Sequence, residues 1–153
     1  MNINVTGPNF GAPYSKSVAQ TIEGAITVMC CKLGIAHESI DFEILLGRTA
    51  GKYDGDARGW AHAHRVKNKW IATIFVMREH DITQMISTLA HELIHVKQFV
   101  KDGLDLNTLN FKGKKWKAKK NQDVCYDSPW EREAYSNELV LLEHYLKYIT
   151  KNG

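Results

Sequence analysis

The spacing of apolar residues predicts three helices. In residues 15–33 and 81–102 the apolar positions lie three or four apart, and the same spacing returns in residues 128–149. One apolar stripe in each segment is typical of a helix with a single buried face. In the last helix we expect that face to consist of Tyr135, Leu139, Leu142, Leu146 and Ile149.

Residues at the ends of the second and third helices agree with these bounds. Asp81 is a good N-cap for the second helix, and Gly103 ends it. At the start of the third helix Ser128 takes the N-cap position and Pro129 the first helical position. Glu131 stands three residues after Ser128, which is the pattern of a capping box. In that interpretation the Glu131 carboxylate accepts a hydrogen bond from the backbone amide of Ser128 and is not free to bind a metal.

Between the first two helices the pattern changes to that of strands. Residues 41–46 and 70–77 are rich in β-branched and aromatic side chains, and residues 58–66 alternate large and small ones. The short links favour an antiparallel meander, and the small sheet, antiparallel or mixed, should pack on the second helix. The order α-β-β-β-α-loop-α predicts an α+β fold.

A chain of 153 residues has the size of one domain. We therefore predict a single domain over residues 1–153, with an irregular lead-in over 1–14 and loops over 47–57 and 104–127. Hydrophobic residues make up 44% of the chain and charged residues 24%, so extensive disorder is not expected.

The net charge of +3 is concentrated in the last of these loops. Six lysines and no acidic residue lie within nine positions, namely Lys112, Lys114, Lys115, Lys117, Lys119 and Lys120. The rest of the chain is mildly acidic, so the basic surface is local. With Phe111 and Trp116 interleaved, this segment could contact phosphates and stack on a base, or it could bind an acidic partner.

The cysteines and the lengths of the apolar runs indicate the cellular compartment in which the protein is expected. Three cysteines, two of them adjacent, make a poor disulfide framework and fit a reducing compartment. No run approaches the roughly 18 apolar residues of a membrane span, and residues 1–8 do not resemble a secretory signal. We therefore expect a cytoplasmic protein without a membrane partner. The sequence makes no prediction of oligomeric state.

The candidate chemistry lies inside the second helix, where residues 91–95 read HELIH, an HExxH motif. Positions i and i+4 share one helical face, so His91 and His95 can bind one ion. An open zinc site lowers the pKa of its water to about 7, and a glutamate beside it can accept the proton. The motif therefore predicts Zn²⁺ bound by His91 and His95, with Glu92 as the general base.

A catalytic zinc site usually has a third protein ligand. The extended form HExxHxxGxxH is excluded, because Gln98 and Lys101 stand where its glycine and third histidine would be. The next candidate is a carboxylate of the following helix, which carries Glu131, Glu133, Glu138 and Glu143. We favour Glu133, because the capping box occupies Glu131 and the small Ala134 lets two helices approach. The alternatives that stay open are Glu131, Asp123, Asp127 and Cys125.

HELIH followed by a glutamate on a later helix resembles the gluzincin class of zinc metallopeptidases. The small size, the order of elements and the segment PWEREA resemble compact SprT-like and ImmA/IrrE-like domains and predicted metallopeptidases of bacteriophages, over residues 17–146. The resemblance implies a zinc peptidase, in the host cytoplasm if a phage encodes it. It also implies that the glutamate directly before alanine, here Glu133, is the third ligand. The chain contains no CxxC pair for the zinc ribbon of many SprT-type proteins, so a DNA-repair role is not implied.

Further residues are expected around the zinc site. Tyr126, Tyr135 and His144 are candidates for donating a hydrogen bond to an oxyanion. Asn137 could orient a ligand imidazole. The strand over 70–77 is expected to border the cleft and to pair with an extended substrate.

Two functions follow from these patterns. The favoured one is a zinc-dependent metallopeptidase that hydrolyses peptide bonds in a protein or peptide substrate. The alternative is a non-catalytic zinc-containing module whose lysine-rich residues 112–120 bind nucleic acid or an acidic partner. His62 and His64 share one face of a strand and could bind a second metal, but an exposed or groove-lining pair is the favoured interpretation.

Overall fold

The computed structural model describes residues 1–7, 13–47 and 58–152. The elements of the main body are β1 (Asn2–Thr6), α1 (Pro13–Leu33), β2 (Ile40–Gly47), β3 (Gly59–Val66), β4 (Lys69–Met77), α2 (Ile82–Lys101) and α4 (Pro129–Asn152). Between α2 and α4 lie β5 (Asn110–Phe111), β6 (Lys114–Lys115) and the short helix α3 (Val124–Asp127). Helices and a small sheet are thus combined as an α+β fold, as expected.

The four-stranded sheet is mixed and has the order β1-β2-β4-β3. β1 pairs parallel with β2, β2 pairs parallel with β4, and β3 pairs antiparallel with β4. The predicted meander is therefore wrong, since β4 stands between β2 and β3. The physical reason is burial: Ile74, Phe75 and Val76 are consecutive buried residues of β4, as suits a central strand covered on both faces.

The irregular lead-in predicted over residues 1–14 is also wrong in part. Residues 2–6 form an edge strand that pairs with β2 from Asn2 opposite Asp41 to Thr6 opposite Leu45. α1 begins at Pro13. The sequence of β1 has only two apolar side chains, Ile3 and Val5, so pairing with β2 rather than local pattern makes it a strand. Of the predicted loop over 47–57, residues 48–57 lie outside the described residues.

α2 is the central helix of the fold and contacts β3, β4, α1 and α4. Its predicted ends are confirmed. The Asp81 side chain accepts a hydrogen bond from the Thr83 amide at 2.9 Å, and the helix stops before Gly103, which has φ +67°. Eleven of its residues are buried, among them Glu92, His95 and Gln98. Three polar side chains in such a helix need partners inside the fold.

α4 packs against α2 with a different face from the one its periodicity predicts. Its buried residues are Trp130, Ala134, Leu141, Leu142 and Tyr145. Of the predicted face only Leu142 is buried, whereas Leu139 is 59% exposed and Tyr135 48% exposed. The helix carries two overlapping apolar stripes, so periodicity alone does not choose between them.

The predicted loop over residues 104–127 contains regular structure. β5 and β6 form a short hairpin whose turn includes Gly113, with φ +78°. The hairpin is anchored to α4, because the rings of Phe111 and Trp116 lie 6.0 and 5.5 Å from the ring of Trp130. Among the described residues, no helix has the length and apolar character needed to cross a membrane.

Candidate metal centre

His91, His95 and Glu131 bring three potential ligand atoms together where α2 meets the first turn of α4. His91 Nε2 and His95 Nε2 each lie 3.0 Å from Glu131 Oε1, and the two nitrogens are 3.2 Å apart. The two histidines are one helical turn apart, so both rings leave the same face of α2. The predicted pairing of His91 with His95 is therefore present in the fold.

Close approach of the two helices makes this convergence possible. α4 packs against α2, and its residues Trp130 and Ala134 are both buried, with the Trp130 carbonyl accepting a hydrogen bond from Gln98 of α2. A residue as small as alanine lets two helix backbones approach, as the sequence suggested. Glu131 stands beside this contact and reaches across it to both imidazoles.

The other ring nitrogen of each histidine has its own partner. His91 Nδ1 lies 2.8 Å from the Glu138 carboxylate, and His95 Nδ1 lies 2.8 Å from Gln98 Oε1. Both partners present oxygen acceptors, so each Nδ1 donates its hydrogen. In the neutral imidazoles both Nε2 atoms then carry lone pairs aimed at Glu131, which is the arrangement that outer partners impose on metal-binding histidines.

This donor set fits a zinc ion. Three electron pairs facing one another at 3.0–3.2 Å repel unless a cation lies among them. Tetrahedral zinc, with bonds of about 2.0–2.2 Å, separates its ligand atoms by about 3.3–3.6 Å, so small side-chain movements would admit the ion. Two imidazole nitrogens and one carboxylate oxygen are also the composition of the His₂Glu catalytic sites.

The charges of the cluster agree with this fit. Burial opposes the imidazolium form of His95, but the hydrogen bond to Glu131 and the nearby Glu92 carboxylate outweigh it and raise the pKa of His95 to about 9. Burial also opposes the carboxylate form of Glu131, yet hydrogen bonds from both imidazoles, which each Nε2 can donate when its ring is protonated, lower the pKa of Glu131 to about 2. The cluster therefore favours a positive charge, either a proton on a histidine or a metal ion in its place.

The expectation that Glu133 joins the histidines is wrong. Its Oε2 lies 2.6 Å from Lys112 Nζ, and its Oε1 lies 3.1 Å from Gln98 Nε2 and 3.3 Å from Lys97 Nζ. Two positions along a helix correspond to a rotation of about 200°, so Glu131 and Glu133 cannot both face the same ion. Of the two, the geometry selects Glu131.

The predicted capping box is the reason that the sequence favours Glu133 over Glu131 as the third ligand. Half of the box is present, since Ser128 Oγ accepts a hydrogen bond from the Glu131 amide at 3.4 Å. The other half would need the Glu131 side chain on the Ser128 amide, but Glu131 Oε1 is on the two histidines instead. A pattern of residue types thus predicted the cap correctly and the carboxylate wrongly.

Glu92, the predicted general base, is 5% exposed and lines the cleft above the histidines. Burial raises its pKa to about 7 against the opposing effect of His95 and His91. A carboxylate with a pKa near neutrality is matched to accepting a proton at neutral pH. Gly59 makes room for it: a Cβ there would lie 2.7 Å from Thr88 Cγ2, 2.8 Å from the Phe75 oxygen and 3.2 Å from Glu92 Cγ.

A cleft of about 800 Å³ opens over the three ligand atoms. One wall is the start of β3, from Gly59 to Ala61, and another is the first half of α4. β3 is an edge strand of the described sheet, whereas β4 is interior. The expectation that the strand over 70–77 borders the cleft is therefore wrong, and β3 has that position.

Of the three candidate oxyanion donors, two line the cleft and one does not. Tyr126 and Tyr135 line the cleft, 65% and 48% exposed, with their rings 6.5 Å apart. The Tyr135 ring also lies 4.6 Å from that of His91. His144 is not among the residues lining the cleft. Tyr135 thus lies beside the candidate ligands rather than in the core stripe to which periodicity assigned it.

The residues that orient the histidines were missed or misassigned. Asn137, proposed for this role, donates instead to the Glu133 carbonyl of its own helix at 2.8 Å. Glu138 has the role for His91, and Gln98 has it for His95. Spacing was the available signal, since Glu138 is two turns after Glu131 and Gln98 is one turn after His95.

The remaining candidates lie apart from the three ligand atoms. Asp123 and Cys125 line the cleft without joining the cluster, and the Asp127 side chain accepts a hydrogen bond from the Asp123 amide. His62 and His64 are exposed with their rings stacked at 5.8 Å, as the favoured interpretation had it. Within residues 1–7, 13–47 and 58–152, the group able to hold a metal is His91, His95 and Glu131.

Comparison with known proteins adds no relative. No protein family, curated protein or solved structure matches the chain. The functional argument therefore depends on the geometry of the site.

Proposed function

We propose that this protein is a zinc-dependent metallopeptidase of the gluzincin kind, acting on a protein or peptide in the cytoplasm. His91, His95 and Glu131 are the proposed zinc ligands, and Glu92 is the proposed general base. The observation that carries the proposal is the convergence of three ligand atoms at 3.0–3.2 Å beside a buried carboxylate, on the floor of an open cleft.

Each residue has a chemical part in this proposal. Held by these three ligands, a zinc ion with an open position would supply polarisation of a substrate carbonyl and a more nucleophilic water. Glu92, buried beside the ligands in the cleft, is the residue proposed to accept a proton from water and to return it to the leaving amine. Tyr135, whose ring lies 4.6 Å from that of His91, is the proposed donor to the developing oxyanion.

The edge strand β3 supports an extended peptide as substrate. Residues 59–61 lie in the cleft wall, at an edge of the described sheet. An extended chain can add to such an edge through main-chain hydrogen bonds, which places its carbonyls at regular intervals along the wall. This mode of binding supplies affinity without requiring a particular side chain.

The test combines metal content with cleavage of a peptide library read by mass spectrometry. We expect zinc at about one per chain and cleavage by the wild type. Glu92→Gln should keep the zinc and lose cleavage. A protein that takes up no zinc would refute the metal centre. A zinc-loaded wild type that cleaves no more than Glu92→Gln would refute the peptidase.

A second candidate function concerns the basic segment. The exposed lysines of this segment lie in strand β6 of the hairpin that Phe111 and Trp116 anchor and in the residues after it, namely Lys114, Lys115, Lys117, Lys119 and Lys120. Because Trp116 packs on Trp130, it is engaged in the fold, and phosphate contacts rather than base stacking are the interaction we propose. The affinity for single-stranded DNA should fall steeply as the salt concentration rises. A variant that combines Lys114→Ser, Lys117→Ser and Lys119→Ser should show a weaker dependence of affinity on salt. No binding at low salt would refute it.

A further inference from the structure

A buried amide joins the candidate metal centre to the basic hairpin. Gln98 is fully buried between α2 and α4. Its Oε1 lies 2.8 Å from His95 Nδ1, while its Nε2 donates to the Trp130 carbonyl at 2.9 Å and to Glu133 Oε1 at 3.1 Å. Turning the amide over would set its oxygen against two oxygen acceptors and its NH₂ against the ring. The surroundings therefore impose one orientation.

This orientation determines the tautomer of His95. Because Gln98 presents an oxygen to Nδ1, that nitrogen carries the hydrogen. The neutral ring then has its lone pair on Nε2, the atom that lies 3.0 Å from Glu131 Oε1. With the amide reversed, Nδ1 would accept, Nε2 would carry the hydrogen, and His95 could not bind a metal through Nε2.

Glu133 is in turn held from two sides. Lys112 of the hairpin binds its Oε2 at 2.6 Å, and Lys97 binds its Oε1 at 3.3 Å. Lys97 is itself fixed by Asp102 at 2.8 Å. These lysines balance the charge of Glu133 and keep its Oε1 towards Gln98, so the carboxylate remains an acceptor for the amide.

We infer that Glu133 and Gln98 are positioning residues of the metal centre. Glu133 fixes the Gln98 amide, and Gln98 keeps His95 in the tautomer whose Nε2 is open to the metal. Glu133 thus acts on the centre through hydrogen bonds, not as a ligand. The inference rests on the proposed zinc site, and its tests separate the two.

Zinc affinity is the first measurement, made by competition with a chelator. Gln98→Leu, of similar size and without polar atoms, should weaken zinc binding about 10–100-fold, as loss of an outer partner does. Glu133→Leu should weaken it less, since the Trp130 carbonyl still directs the amide. Glu133→Gln, whose side-chain oxygen can still accept a hydrogen bond from Gln98, should keep most of the zinc affinity of the wild type. Glu143→Gln, exposed on the same helix, is the matched control.

The tautomer of His95 is the second measurement, read from imidazole ¹⁵N shifts of the metal-free protein at about pH 10. The wild type should show the hydrogen on Nδ1. Gln98→Leu should move the hydrogen towards Nε2, because Glu131 Oε1, 3.0 Å away, is then the remaining acceptor for the ring. A role in packing alone would leave these shifts unchanged while lowering Tm, so the readout distinguishes positioning from folding.

The outcomes separate the inference from the proposed function. If the wild type takes up no zinc, the metal centre is wrong, and the ¹⁵N shifts still decide whether Gln98 sets the tautomer. If the wild type binds zinc and the Gln98 and Glu133 variants bind it equally well, the inference is wrong. Equal losses in Glu133→Gln and Glu133→Leu would also overturn it, because charge rather than amide orientation would then matter.

Discussion

The first turn of α4 presents two glutamates to two different environments. Glu131 faces the cleft and meets two imidazole nitrogens of α2, both at 3.0 Å. Glu133, two residues later, faces the hairpin side and meets Lys97, Lys112 and Gln98. In both cases burial opposes ionisation and hydrogen bonds outweigh it, so the pKa of each carboxyl is lowered.

The two glutamates differ in whether their partners bring a positive charge. The lysines beside Glu133 bring their own positive charge, so that side is electrically complete. The imidazoles beside Glu131 are neutral donors of electron pairs unless protonated, so that side needs a cation. The same residue type, on the same helix, thus forms a structural ion pair on one side and a candidate metal site on the other.

The sharpest way to break this comparison is to remove each carboxylate in turn. Glu131→Ala should weaken zinc binding by more than the 10–100-fold loss that is typical of outer partners, because a ligand atom is gone. Cleavage should be lost together with the zinc. Glu133→Ala should retain zinc with weakened affinity. Elemental mass spectrometry after dialysis measures both. The reverse ranking would return Glu133 to the role of third ligand.

The next effect concerns the carboxylate that should act without binding zinc. Glu92→Gln should lower kcat about 10²–10⁴-fold, the usual contribution of a general base, while leaving zinc content unchanged. Single-turnover cleavage beside metal analysis provides the test. Loss of the zinc in this variant would mean that Glu92 holds the metal.

The charge state of the cleft side predicts a pH dependence of zinc uptake. The pKa of His95 is about 9 without metal, so below that pH zinc must displace a proton. The apparent affinity should rise about tenfold per pH unit up to about pH 9 and then level off. Isothermal titration at several pH values, in buffers of different ionisation enthalpy, would count the protons. An affinity independent of pH from 6 to 9 would contradict the His95 assignment.

The raised pKa of His95 also predicts how the stability of the metal-free protein depends on pH. Because the folded pKa of His95 lies above its ordinary 6.5, its stabilisation is fully present below pH 6.5 and is lost as the pH rises through 9. Metal-free protein should therefore lose stability over that window in urea melts, whereas zinc-loaded protein should not. Parallel curves for the two forms would show that the histidines do not hold the metal.

A smaller effect is expected from the cleft wall. Gly59→Ala forces a methyl group onto Thr88 and the Phe75 carbonyl, so it should cost about 1–3 kcal/mol of unfolding free energy. Gly24→Ala is the matched control: nothing lies within 4 Å of its Cβ position on α1, and it should stabilise by up to about 1 kcal/mol. Urea unfolding measures both. Equal behaviour would mean that β3 does not press on α2.

The smallest effect should come from the hairpin side. Lys112 is half exposed, so Lys112→Met should cost only about 0–1 kcal/mol despite its 2.6 Å contact with Glu133. Lys114→Met, on the same hairpin, should cost nothing measurable. Unfolding in urea would detect the difference. A large loss would mean that this ion pair, not the packing of Phe111 and Trp116, holds the hairpin.

The helices show how far local pattern reaches. α2 is buried on most of its surface, and its apolar stripe, its cap at Asp81 and its two histidines were all predictable. α4 has apolar residues on two faces, and the face that it buries, which includes Trp130, Ala134 and Leu141, is set by its packing in the fold. The sheet shows the same limit. Strand segments were predictable, whereas the place of β4 between β2 and β3 required non-local pairing.

The sequence by itself determined that His91 and His95 share one face of α2, because they stand one turn apart and a helix sets their relation. It also determined both ends of α2 and the start of α4, since caps are local. Only the tertiary structure decided that Glu131 rather than Glu133 meets the histidines, that Glu138 and Gln98 orient them, and that β3 walls the cleft. Those relations depend on how α4 is rotated against α2. That rotation is set by packing between residues about forty positions apart, which no local pattern encodes.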